Sequence, residues 1–251
     1  MAPYRHIRVE DEAGVALVRI DRPPANAMDL ELLQESHALI RELRSAEPAA
    51  VVLTGREDFF SAGVDLKVAP ALGPEEQRAM VDGINRMFAG WYSFPRPVVC
   101  AVNGHAIAGG LILALCGDRR IGARRGKLGL TELRAGIGYP AVAMAVVQAE
   151  LTPQAARRLV LDAGLVEPDE ALALGAMDEL RGAHEVVPRA LKVAAELAAL
   201  PRATYSRVKQ QLRGAAIAAI ERVIRSGSDP MLAGWVSDEA GQASAAILDR
   251  D

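Results

Sequence analysis

The chain has few cysteines, few histidines and little excess charge. Its 251 residues include two cysteines, Cys100 and Cys116, and four histidines. Both cysteines lie in apolar stretches, which predicts buried reduced thiols rather than a disulfide framework. The cysteines and histidines lack the spacing of a metal site, so no metal is expected. The net charge of −3 does not predict a basic surface, and no nucleic-acid partner is expected.

The sequence also lacks a long apolar run. Residues 1–7 do not contain the apolar core of a secretory signal, and the most apolar internal stretch, 106–116, is too short to span a bilayer. We therefore expect a cytoplasmic protein without a membrane partner. There is no internal repeat or low-complexity tract. The length predicts one large α/β domain, or one such domain with a small helical appendage.

Strand and helix patterns alternate in the first half of the chain. Residues 15–21 and 50–55 have the composition of buried strands, and the apolar spacing between them predicts a helix of about four turns that begins after Asp29. A second helix is predicted from Pro74, followed by a third buried strand over 98–102 and a further short strand over 118–123. This order is typical of a parallel sheet with right-handed crossovers.

After about residue 140 the chain becomes rich in alanine and leucine, and strand patterns almost disappear. Helix starts are predicted near Pro153, Pro168 and Pro188. Glycines 227, 234 and 241 predict that the helices after Arg202 are short and separately packed. The sequence thus predicts a helical C-terminal region.

Two glycine-bearing stretches, 60–66 and 103–110, follow predicted strands, where open α/β sheets usually hold ligands. Glycine and alanine allow a carbonyl oxygen to approach backbone N–H groups, so the stretches suit an oxyanion hole. Neither contains an obvious nucleophile. Ser61 and His105 suggest a hydrolase, but no Gly-x-Ser-x-Gly turn or acidic partner accompanies them. The alternative is that the glycines only form tight turns.

Glu132 is the candidate for proton chemistry. Its neighbours Leu128, Leu130, Leu133 and Ile137 predict poor solvation, which would raise the pKa of its carboxyl group. The alternative is a surface glutamate paired with an arginine. The arginines available for such a pair are Arg124, Arg125 and Arg134.

Segments 60–67, 103–110 and 129–132 resemble, in order and separation, the signature segments of the enoyl-CoA hydratase/isomerase, or crotonase, family. Segment 22–27 resembles the family's first CoA-contacting loop, and 235–239 its terminal helical segment. The resemblance implies the α/β ClpP/crotonase fold, a spiral of strand-strand-helix units over 1–195. It also implies a helical trimerisation region over 196–251, and a homotrimer or dimer of trimers.

In that family, two backbone N–H groups hold the thioester oxygen of an acyl-CoA, and the matching residues are Val64 and Gly109. Glu132 matches the family's catalytic glutamate. The CoA belongs to the substrate, so no cofactor is expected. Lys67 matches a lysine near the CoA adenosine. The residues predicted to contact substrate or CoA are Ala25, Ala27, Ser61, Ala62, Gly63, Asp65, Leu66, Lys67, Gly110, Ile112 and Tyr139.

Ile112 departs from the family's hydratases, which carry a second glutamate at this position to position water. Pro140 occupies the place where dienoyl-CoA isomerases carry theirs. A single base can still move a proton from C2 to C4. The resemblance therefore implies a Δ3,Δ2-enoyl-CoA isomerase. The alternatives are a hydratase of low activity and a non-catalytic acyl-CoA-binding or assembly protein.

Overall fold

Two sheets organise the N-terminal part of the fold. The computed structural model describes residues 4–227, 229–233, 235–236, 240 and 243. Within these residues, a six-stranded sheet has the order β1-β2-β3-β5-β7-β9 and a three-stranded sheet the order β4-β6-β8. The strands are β1 (Ile7–Glu12), β2 (Val15–Ile20), β3 (Ala50–Thr54), β4 (Phe59–Ser61), β5 (Val98–Val102), β6 (His105–Ile107), β7 (Arg119–Ala123), β8 (Leu128–Gly129) and β9 (Glu179–Arg181).

The helices cover the larger sheet and continue into the C-terminal region. They are α1 (Leu30–Ala46), α2 (Pro74–Tyr92), α3 (Gly109–Leu115), α4 (Ala141–Glu150), α5 (Pro153–Val160), α6 (Pro168–Ala173), α7 (Val186–Ala198) and α8 (Arg202–Ser226). The predicted start of α1 after Asp29 is confirmed, and the Asp29 side chain caps the helix by accepting a hydrogen bond from the Leu32 N–H. None of the described helices combines the length and apolarity that crossing a bilayer requires.

The six-stranded sheet is parallel except for the β1–β2 hairpin. Its central strands bury both faces, as expected for a sheet covered on both sides. On one face, Leu17, Val52 and Val99 pack against α7. The opposite face joins the main core, which contains Cys100 and Cys116. Both thiols are buried and free, which confirms the prediction from composition.

Two of these strands were not predicted. β1 carries charged residues at Arg8 and over 10–12, and Ile7 is its one buried residue. β9 has three residues and buries only Leu180. β9 is the one strand after residue 140 among the described elements, in agreement with the prediction that strands almost disappear there, and it extends the sheet through a parallel pairing with β7. Strands this short and this polar carry too little apolar pattern to be recognised.

The three-stranded sheet also corrects the placement of the first glycine stretch. It does not follow β3 directly, because β4 intervenes and contains the first residues of the stretch. The second stretch follows β5 directly, as predicted, and β6 lies within it. All three strands run parallel, β4 with β6 and β6 with β8. Their carboxyl ends therefore lie side by side at one edge of the small sheet.

The C-terminal region contains a long helix, so the prediction of short helices after Arg202 is wrong. α8 runs for 25 residues and ends at Gly227, which adopts a left-handed backbone with φ of 59°. Lys209 and Arg213 anchor the helix through ion pairs with Asp118 at 2.7 and 3.4 Å. The division at 195/196, which falls inside α7, stays a prediction. Residues 237–239 of the segment that resembles the family lie outside the described residues.

Candidate active site

Three segments of the chain converge at the carboxyl ends of β4, β6 and β8. The first leads to Val64, the second to Gly109 and the third to Glu132. All three residues line one cavity of about 730 Å³. The structure thus brings together the predicted oxyanion donors and the predicted base, which are separated by up to 68 positions in the sequence.

The two glycine loops touch each other through backbone atoms. Gly63 has a φ of +78°, and a methyl carbon placed on it would lie 2.8 Å from the Ile107 carbonyl oxygen and 2.9 Å from the Gly109 nitrogen. A methyl carbon on Gly110 would lie 2.1 Å from the Ser61 carbonyl oxygen. Both positions therefore require glycine. Neither residue lines the cavity, so their role in the structure is to let the loops approach.

The N–H groups of Val64 and Gly109 are available to a ligand. The Met28 N–H donates to the Gly63 oxygen at 2.6 Å, and the Asp65 N–H donates to the Met28 oxygen at 3.0 Å. These bonds hold the chain on both sides of Val64 without using its own N–H. Gly109 is the first residue of α3. Among the described residues, neither N–H has a protein acceptor.

Ala108 is strained, a feature that the sequence does not reveal. It precedes α3 with φ of 52° and ψ of −126°, a conformation that non-glycine residues rarely adopt. Such a backbone costs on the order of 1–3 kcal/mol and persists where surrounding contacts enforce it. Its carbonyl oxygen accepts from the Leu111 N–H at 2.9 Å, and its N–H donates to Gly129 at 2.7 Å. The strain sets the direction of the Ala108–Gly109 peptide at the cavity wall.

Glu132 is a buried carboxyl group with 9% exposure. Burial raises its pKa to about 7, and its own backbone N–H and the Tyr139 hydroxyl oppose this increase. The prediction of poor solvation is confirmed, although Leu133 does not contribute because it is 57% exposed.

The alternative of a surface salt bridge for Glu132 is wrong. Arg134 donates to the Asp162 carbonyl oxygen. Arg124 pairs with Asp169 and Arg125 with Asp58. Within the part of the chain that the structure describes, no cation pairs with Glu132.

Most of the residues predicted to contact substrate do line the cavity. These are Ala25, Ala27, Ala62, Asp65, Leu66, Lys67 and Ile112. Ser61, Gly63, Gly110 and Tyr139 are not part of its lining. The Tyr139 hydroxyl is instead buried against Glu132, without the geometry of a hydrogen bond to it or to any other described residue.

Ser61 and His105 are held in other contacts, which disfavours the hydrolase hypothesis. The Ser61 hydroxyl donates to the Asn26 carbonyl oxygen at 2.8 Å and accepts from the Gly63 N–H at 3.1 Å. The Nδ1 atom of His105 accepts from the Lys127 N–H at 3.1 Å. Its ring stacks on Phe59. These contacts stabilise the strand ends beside the cavity.

The apolar wall of the cavity was missed as a site, although Ile84 and Phe88 show the helical spacing of core residues. These two side chains come from α2, and Trp235 comes from the C-terminal segment. The Trp235 Nε1–H donates to the Gly138 carbonyl oxygen at 3.0 Å, and the Gly138 N–H donates to the Trp235 oxygen at 3.1 Å. Only the packing of Ile84, Phe88 and Trp235 in the folded protein shows that these side chains line a cavity.

A possible metal-binding group lies outside the cavity. His6, Asp29 and Glu31 offer ligand atoms within 4.8 Å of one another. Asp29 already caps α1 and pairs with Arg22 at 2.8 Å, and Glu31 pairs with Arg5 at 3.3 Å. These contacts account for the cluster. The expectation of no metal stays a prediction.

Comparisons with known proteins agree with this geometry. Residues 10–232 match the family model described as enoyl-CoA hydratase/isomerase. A probable enoyl-CoA hydratase of Mycobacterium tuberculosis is 34% identical over 176 residues, covering 70% of this chain and 67% of the relative.

Two solved structures show the same architecture. Human mitochondrial Δ3-Δ2-enoyl-CoA isomerase is 26% identical with a TM-score of 0.89, and the match covers 98% of each chain. An enoyl-CoA hydratase of Mycobacterium ulcerans is 29% identical with a TM-score of 0.83, covering 88% of this chain and 97% of that one. These matches confirm the predicted crotonase fold with its helical C-terminal region. The chain is a member of the enoyl-CoA hydratase/isomerase family.

Proposed function

We propose that the protein isomerises a 3-enoyl-CoA to a 2-enoyl-CoA. The Val64 and Gly109 N–H groups bind the thioester oxygen, and Glu132 transfers the proton. The observation that carries the proposal is the single available carboxyl group among the described residues that line the cavity. Asp65 also lines it but pairs with Arg22 at 3.0 Å, whereas Glu132 has no cation partner among the described residues.

The chemistry needs one base and one oxyanion site. Ionised Glu132 removes a proton from C2, and the electron pair moves onto the thioester oxygen to form an enolate. The two N–H groups stabilise that oxygen, each by about 3–4 kcal/mol. Protonated Glu132 then returns the proton to C4, and the double bond ends between C2 and C3. A pKa of about 7 suits a group that must both accept and donate a proton near neutral pH.

Ile112 favours isomerisation over hydration. It lines the cavity as a buried apolar side chain, so it cannot hold the water that would add to the double bond. Hydration stays the second candidate, because relatives of this chain are named as hydratases. Glu132 would then act on a water held by other groups.

The mouth of the cavity offers a place for the CoA. Lys67 lines it with an exposed side chain that has no ion-pair partner among the described residues. We propose that its ammonium group binds a phosphate of the CoA.

We also propose assembly into trimers or pairs of trimers, which sedimentation analysis would test. Leu133, Leu161 and Leu165 are exposed apolar residues that such contacts could bury.

The reaction can be tested with purified protein and a set of 3-enoyl-CoA and 2-enoyl-CoA thioesters. Absorbance of the conjugated thioester would follow both double-bond migration and hydration. We expect isomerisation to be faster, and Glu132→Gln to slow it by about 10²- to 10⁴-fold. Glu75→Gln, an exposed position at the start of α2, is the matched control and should leave the rate unchanged.

The alternatives give distinct results in the same assay. Faster hydration than isomerisation would establish the hydratase. Acyl-CoA binding without turnover, unaltered by Glu132→Gln, would establish the non-catalytic binding protein.

A further inference from the structure

Two buried polar atoms beside the cavity lack hydrogen bonds. They are Oε2 of Glu132 and the hydroxyl oxygen of Tyr139, both sealed from solvent and without a partner among the described residues. A buried polar group without a partner costs about 1–3 kcal/mol. The two groups are neighbours, close enough for each to affect the ionisation of the other. A donor and an acceptor thus lie together without a hydrogen bond beside the cavity.

Tyr139 provides the side-chain hydroxyl that acts to lower the pKa of Glu132. Lys67, His105 and Lys127 line the same cavity, but among the described residues none of them forms an ion pair or hydrogen bond with the Glu132 carboxyl group. Arg134, two residues along the chain, is exposed and bonded to the Asp162 carbonyl oxygen. When Glu132 ionises, the Tyr139 hydroxyl and the Glu132 N–H are therefore the groups that can stabilise its charge.

The backbone of Tyr139 is well positioned for this contact. Gly138, immediately before it, exchanges two hydrogen bonds with Trp235, and Pro140 follows it at the start of α4. Burial raises the pKa of Tyr139 far above its usual range, and the Glu132 charge raises it further. The hydroxyl therefore keeps its proton around neutral pH and remains a donor.

We propose that Tyr139 is a positioning residue for Glu132: its hydroxyl donates a hydrogen bond to Oε2 of the ionised carboxylate and leaves Oε1 to exchange the proton. This inference rests on the proposed role of Glu132 as the base. Because Tyr139 does not line the cavity, it acts through Glu132 and does not touch the substrate. Ile112 stands where hydratases of the family carry a second carboxylate. Tyr139 supplies part of the polar support that Ile112 cannot give.

The expected consequence is a shift in the pH profile. A hydrogen bond to the charged form stabilises that form, so the loss of the hydroxyl must raise the pKa of Glu132 above about 7. In Tyr139→Phe, the acid limb of kcat/KM should move up by about one pH unit. Activity should fall about tenfold below the limb and stay unchanged well above it.

Tyr4→Phe is the matched control. The Tyr4 hydroxyl is also buried without a hydrogen bond, but its neighbouring carboxyl groups are Glu42 and Glu35 rather than Glu132. This variant should leave the acid limb in place. Thermal unfolding of both variants would identify any general loss of structure, which would lower activity at every pH rather than shift the limb.

A second measurement is independent of turnover. The ¹³C resonance of the Glu132 carboxyl group, assigned by its absence in Glu132→Gln, can be titrated in the wild type and in Tyr139→Phe. An upward shift of the titration midpoint in Tyr139→Phe would support the positioning role, whether or not an enoyl-CoA is turned over. A lack of turnover would overturn only the proposed function. An unchanged or lowered midpoint in the folded variant would overturn the positioning role.

Discussion

Two clusters of buried ionisable groups in this protein differ in how their polar atoms are satisfied. Where α8 meets the core, Asp118 accepts from Lys209 at 2.7 Å and from the Val98 N–H at 2.8 Å, and Arg213 donates to three carbonyl oxygens. Where the three strand ends meet, Glu132 has no cation partner within the described part of the chain. The first cluster uses its charges to fix a helix, whereas the second holds polar groups ready for a ligand.

The largest expected effect is on the anchored cluster. Asp118→Asn leaves Lys209 buried without its counter-ion, and we expect a loss of about 3–5 kcal/mol in the free energy of unfolding measured in urea. Asp82→Asn is the control, because Asp82 forms an exposed pair with Arg86 within α2 and should cost less than about 0.5 kcal/mol. Equal losses in the two variants would contradict the difference between the clusters.

At the candidate site, removal of the buried charge should increase the free energy of unfolding rather than lower it. The folded protein raises the pKa of Glu132 from 4.5 to about 7, so the folded state binds more protons between these values and loses stability as pH rises through them. Glu132→Gln removes this penalty. We expect the variant to be about 3 kcal/mol more stable than the wild type at pH 8, and equally stable at pH 4. Denaturant unfolding at both pH values would measure this, and a variant less stable at pH 8 would refute it.

A smaller effect is expected at the strained residue beside the donors. Ala108→Gly relieves the backbone cost at φ of 52°, although glycine also gains freedom in the unfolded chain. We expect a net gain of about 1 kcal/mol in stability together with a lower kcat, because the Gly109 N–H becomes less firmly directed. Ala13→Gly, also at positive φ but in the β1–β2 turn, is the control and should leave kcat unchanged. An unchanged kcat in Ala108→Gly would contradict the inferred link between the backbone strain at Ala108 and the direction of the Gly109 N–H.

The smallest effect concerns an exposed charge. If Lys67 binds a CoA phosphate in water, Lys67→Ala should raise KM for the thioester by only about two- to fivefold, with kcat unchanged. The effect should diminish as salt is added, because exposed charges are screened. Steady-state kinetics at low and high ionic strength would show this, and an increase in KM that is independent of salt would argue against a phosphate contact.

The sequence predicts those parts of the fold that local pattern determines. Asp29 and the apolar spacing after it define α1, and the run of buried residues over 98–102 defines β5. β4, β6 and β9 are three residues long and depend on pairing with distant strands. The length of α8 depends on the buried contacts of Lys209 and Arg213, which no local pattern reveals.

The residues of the candidate site likewise divide into those that the sequence predicts and those that it does not. Resemblance to family segments located Val64, Gly109 and Glu132, which the structure brings to one cavity. The strain at Ala108 and the apolar wall formed by Trp235 and Phe88 follow from tertiary packing, and the sequence did not indicate them. Tyr139 was predicted to contact the substrate, but the structure places its hydroxyl against Glu132.

The direct backbone contact between Gly63 and Gly109 couples the two N–H donors mechanically. A single methyl carbon added to Gly63 would collide with the opposite loop, so the two loops are already in close contact. Movement of either loop toward the other would cause a backbone collision, which opposes any shortening of the distance between the Val64 and Gly109 N–H groups. If the two N–H groups bind a thioester oxygen as proposed, the position of that oxygen selects the ligand, while the apolar wall contacts the rest of the molecule.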